Sequence, residues 1–73
     1  MGADITIYLK KNIDREKLKI DASKVPIDCT ISKDGKSVDF HYAYWSNEHA
    51  LRCELFVSRF CLKNKLTMGK WGY

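Results

Sequence analysis

The stretch IDCTISKDGKSVDFHYAY, residues 27–44, alternates apolar and polar side chains on both sides of Asp34-Gly35, a dipeptide favoured in two-residue type I′ turns. Folded back there with Lys33 facing Lys36, it pairs Ile31 with Val38, Cys29 with Phe40 and Ile27 with Tyr42 on one face. The other face pairs Ser32 with Ser37, Thr30 with Asp39 and Asp28 with His41. Turn chemistry and burial pattern agree on one register, so the hairpin has one apolar side. That side needs a second layer to cover it.

Downstream, residues 46–66 read as one long helix that can supply the cover. Ser46 or Asn47 caps it, Glu48 lies in its first turn, and Lys63 and Lys65 lie in its last, as the helix dipole favours. At about 100° per residue, Ala50, Cys53, Phe56, Val57, Phe60 and Cys61 fill a broad arc facing the sheet. Leu51, Leu55 and Leu62 form a second, separate line. Arg52, Arg59 and Lys63 divide the two on one side, and Glu54, Ser58 and Lys65 divide them on the other. A lone small domain has a core for one such stripe, so the second is a partner hint.

Upstream, Asp4 to Lys10 alternate as a half-buried strand with Ile5, Ile7 and Leu9 inward. Asp14 is placed as an N-cap, with Ile13 and Leu18 spaced as a hydrophobic staple. The helix it opens is expected to stop early, because Leu18, Ile20 and the Asp21-Ala22-Ser23 stretch lose the helical period and Val25 precedes Pro26. The last segment, residues 67–73, reads as a short closing strand or an aromatic strap, its two glycines weakening a regular strand.

The order predicts a single α+β domain over residues 1–73, a small two-layer sandwich. A three- or four-stranded antiparallel sheet is covered by one long C-terminal helix, in an order compatible with an abbreviated ferredoxin-like βαββαβ pattern. The alternative is a three-stranded sheet with one helix. With 73 residues the core is near the lower limit for a fold without a staple. No apolar run approaches the roughly 20 residues that span a bilayer, and no basic-then-apolar leader opens the sequence. Three cysteines, an odd number, make a poor disulfide framework. Reduced thiols and a cytoplasmic location are therefore expected, with no membrane partner.

Catalytic and metal chemistry find little support in these residues. Cys29, His41, His49, Cys53 and Cys61 include one helical pair four apart, His49 and Cys53, but Cys29 and His41 project from opposite hairpin faces. Asp28 opposite His41 could orient an imidazole, yet no nucleophile, oxyanion hole or phosphate loop accompanies it. The expectation is a chain that is not an enzyme, with no catalytic residue, metal, cofactor or small-molecule substrate.

Two binding functions remain. The first is a protein-binding regulator or inhibitor that covers a surface of a larger protein, of the kind viruses and mobile elements encode. Its interface is Leu51, Leu55 and Leu62 with Arg52, Arg59 and Trp45 around them, and self-association into a homodimer uses the same face. The alternative is a nucleic-acid-binding accessory protein using the basic helix end and aromatic tail, Lys63, Lys65, Lys70 and Trp71. The net charge of +4 is too mild to decide between them.

Overall fold

A computed structural model describes residues 2–73. Three strands, β1 (Gly2–Tyr8), β2 (Asp28–Ile31) and β3 (Ser37–Ala43), form an antiparallel sheet in the order β1-β3-β2. Two helices, α1 (Arg15–Ser23) and α2 (Asn47–Lys63), complete a small α+β fold. Because β1 and β2 both run antiparallel to β3, they are parallel to each other with β3 between them, which is why a helix rather than a hairpin joins them. The tail runs beside β1 and touches it at one antiparallel bridge, Asp4 to Gly72, with reciprocal backbone bonds of 2.9 and 2.7 Å. It therefore occupies the place of a fourth strand while forming only one rung of it.

The hairpin register is the one the alternation predicts: Asp28 opposes His41, Cys29 opposes Phe40, Thr30 opposes Asp39 and Ile31 opposes Val38. The turn differs. A type I′ turn needs positive φ at both central residues, and only Gly35 has it, at 68°. Instead Gly35 N–H donates to Ser32 carbonyl at 2.9 Å. Ser32 Oγ accepts from the N–H groups of Lys36 and Ser37 and donates to Asp34 Oδ1 at 2.6 Å. These side-chain bonds favour a longer, internally braced loop over the tightest turn. The Ser32 hydroxyl also holds the Asp34 carboxyl below its ordinary range, aided by the Lys36 N–H.

α1 starts where expected, with Asp14 accepting from Lys17 N–H at 3.1 Å. It continues to Ser23, beyond the early stop predicted from the lost period. Leu18 and Ala22, four apart, are its buried face, while Ile20 points outward. Treating Ile20 as a core residue is what made the period look broken. The same face puts Leu18 and Ala22 in the core cluster, so α1 adds to the cover that α2 provides.

α2 is capped by Ser46, whose Oγ accepts from His49 N–H at 3.1 Å. It has 17 residues and ends before Leu66. Leu66 N–H reaches Cys61 carbonyl at 2.8 Å and Lys65 N–H reaches Leu62 carbonyl at 3.3 Å, the paired bonds of a Schellman stop. Lys65 holds the left-handed position of that motif, at φ 55°, where glycine is usual. The stop folds Leu66 back into the core. Asn64, itself buried, ties the helix end to α1 through Asp21 Oδ2 at 3.0 Å.

The core lies between the helices and one sheet face. Ile5, Ile7, Val38 and Phe40 pack against Leu18, Ala22, Val57 and Phe60, with the rings of Phe40 and Phe60 edge to face at 5.1 Å. Ala3, Tyr42, Ala50 and Cys53 form a second cluster next to Trp71. Burying each large apolar side chain is worth about 1.5–3 kcal/mol before entropy. The opposite sheet face is open and polar.

Candidate protein-binding surface

α2 is attached to the sheet through Ala50, Cys53, Val57, Phe60 and Cys61, and the helical period puts Leu51, Leu55 and Leu62 on the far side. These leucines are 65%, 54% and 76% exposed. The residues of this chain that could have covered them are engaged elsewhere. Leu18 is in the core and Ile13 packs against it. Trp71 lies edge to face on Tyr42 at 5.2 Å. Tyr73 donates its hydroxyl to Glu54 Oε2 at 3.0 Å, and the same oxygen accepts the Tyr42 hydroxyl at 2.8 Å.

The leucine line continues at its N-terminal end into a groove lined by Tyr44, Ala50, Leu51, Glu54 and Tyr73. Tyr44 and Tyr73 keep large exposed areas there. Tyr44 is steadied by a hydroxyl contact to Asn47 Oδ1. Burial and the bond to Glu54 push the Tyr42 phenol well above its usual range, so this hydroxyl stays a donor. The Tyr42–Glu54–Tyr73 link was not anticipated. Its signal was Glu54 at the border between the two helical stripes, next to the last inward-facing residue of β3.

Around the leucines, Arg52 pairs with Glu48 at 2.7 Å, an exposed pair of little intrinsic value. Arg59 is exposed and lines a shallow groove with Phe56, Asp21, Lys24 and Val25 where α2 meets α1. Phe56 was expected in the core arc; at 36% exposure it sits on the arc's edge instead. Trp45 is 80% exposed and stacks on the His49 ring at 5.3 Å, so it stands at the start of α2, away from Leu62 at its end.

Other sequence candidates take definite places. His41 meets Asp4 of β1 through Nδ1 at 2.6 Å, whereas Asp28 was the partner foreseen; Asp28 stands opposite it in register without that contact. Thr6 Oγ1 donates to Asp39 on the same open face at 2.6 Å. Cys53 Sγ lies 3.5 Å from His49 Nε2. Among the described residues, no three His, Cys, Asp or Glu side chains come together as a metal site. All three thiols are free and shifted upward mainly by burial, Cys61 to about 11, which keeps them protonated near neutrality.

The alternative set is divided. Lys63 and Lys65 line one groove with Lys10 and Lys17, which belong to other segments. Lys70 is exposed on the tail and Trp71 is turned into the fold, its indole N–H buried without a hydrogen-bond partner. No helix among the described residues is long and apolar enough to cross a membrane. No protein-family model, curated protein or solved structure matches the chain.

Proposed function

We propose that the chain is a small, non-enzymatic, protein-binding regulator or inhibitor of the cytoplasm that occludes part of a larger protein with the outer face of α2. The observation that carries this reading is the exposure of Leu51, Leu55 and Leu62 along one side of a helix whose other side already holds the core. A larger partner suits the surface better than a second copy does. Two copies meeting only at three leucines, with Ser58 interrupting the seam, bury far less than the roughly 1,200–2,000 Å² of a stable interface. A groove-bearing partner can extend onto Tyr44 and Tyr73 and place carboxylates beside Arg59. The free thiols suit a reducing compartment.

Site-specific photocrosslinking in cells tests this, with a benzophenone amino acid replacing Leu55 and, as control, Thr30 on the open sheet face. One discrete heavier adduct from position 55 and none from position 30 supports the reading. An adduct of twice the chain mass replaces the larger partner with a homodimer, and equal labelling from both positions or none from either overturns the reading.

A further inference from the structure

The loops at one end of the molecule gather charge that the sequence spreads over five segments. Two grooves meet there and share Lys10. One is lined by Lys10, Lys17, Lys63 and Lys65 with Asp14; the other by Lys10, Lys11, Arg15 and Lys36 with Tyr8 and Asp34. Together they hold seven of the thirteen Lys and Arg residues against two of the nine acids. Both acids are occupied by their own backbone, Asp14 capping α1 and Asp34 bracing the hairpin loop. Two of the cations are also spent, Arg15 on Gly35 carbonyl at 2.7 Å and Lys17 on Lys63 carbonyl. Lys10, Lys11, Lys36, Lys63 and Lys65 are exposed, and among the described residues they form no ion pair.

We infer that this basic pole binds single-stranded nucleic acid, its phosphates seated along the two lysine grooves and a base stacked on Tyr8. Tyr8 is 77% exposed and lines the second groove, and among the described residues no aromatic ring packs on it. A concave track of cations beside an exposed aromatic is the arrangement that holds a flexible strand. A lipid surface would call for exposed apolar side chains at the same pole, where Leu9 and Ile13 instead pack against the core. Lys65 adds a further observation: it lines the first groove from a left-handed backbone position where glycine is least strained. This site is separate from the leucine face, although Lys63 follows Leu62 directly and brings the two edges together at the end of α2.

Fluorescence anisotropy with a labelled oligo(dT) of about twelve nucleotides, a length within the usual footprint of small single-strand binders, tests the inference. Four or five phosphate contacts predict a loss of affinity of roughly 50- to 130-fold between 50 and 200 mM salt. Lys10→Ala combined with Lys65→Gly should weaken binding roughly tenfold and flatten the salt dependence. Tyr8→Ala should weaken it roughly fivefold or more with the salt dependence unchanged. Leu55→Asp should leave binding intact, which separates failure here from failure of the protein-binding reading. All these side chains are exposed, and circular dichroism checks that each variant folds. No binding at 50 mM salt, tighter binding of the matching duplex, or indifference to the lysine and tyrosine changes overturns the inference.

Discussion

The inner and outer faces of α2 are both apolar, yet they have opposite fates. Cys53, Val57, Phe60 and Cys61 are 3% exposed or less, whereas Leu51, Leu55 and Leu62 are all more than half exposed. The first set holds the helix to the sheet; the second lies outside both core clusters. Exposed apolar side chains cost solubility, which is the ground for proposing that the outer set is a binding surface. On the proposed reading, folding and binding use opposite sides of one helix.

The largest test of that division is on the inner face. Phe60→Ala removes a ring packed against Phe40 and is expected to cost about 3–5 kcal/mol, read as a lowered urea midpoint. An equal loss from Leu55→Ala would break the comparison.

Tyr42→Phe probes the border between the faces, where Glu54 receives two hydroxyls. The expected loss is about 1.5 kcal/mol, the scale of a hydrogen bond to a charged group. Tyr42 keeps its proton in the fold to a higher pH than the unfolded chain, whose tyrosines ionise near pH 10. Its contribution is therefore complete below about pH 10 and declines as pH rises further. Unfolding measured from pH 7 to 11 should show a smaller alkaline decline in Tyr42→Phe than in the parent.

At the end of the helix, where both faces converge, Lys65→Gly relieves a left-handed backbone and should stabilise by about 0.5–1 kcal/mol, a slightly raised Tm. Smallest of all, Leu55→Ser should move stability by about 0.5 kcal/mol or less while removing partner capture. A markedly lower Tm would show that the outer leucines serve the fold after all.

Much of the architecture was legible because it rests on local rules. Period-two alternation around Asp34-Gly35 was enough for the hairpin register, and Asp14 and Ser46 announced both helix starts. The turn type was not legible, since it depends on where the Ser32 hydroxyl goes. The length of α1 was misjudged because Ile20 imitates a core residue while facing solvent. The two stripes of α2 were visible as periodicity, but whether the tail covered the second depended on Trp71 reaching Tyr42 across the fold. The basic pole was legible only in part: Lys63 and Lys65 stand out as a basic helix end, but their meeting with Lys10, Lys11, Lys17 and Lys36 does not. Its lysines lie far apart in the chain and meet only because the β1–α1 loop, the hairpin loop and the end of α2 share one end of the sandwich.

The two tryptophans also give the molecule a pair of optical reporters. Trp45 is in water with the His49 ring stacked against one face, so its emission should be red. Trp71 is lodged against Tyr42, so its emission should be bluer and shift when the tail lets go of β1. One spectrum can thus follow the head of α2 and detachment at the end of the chain as separate colours.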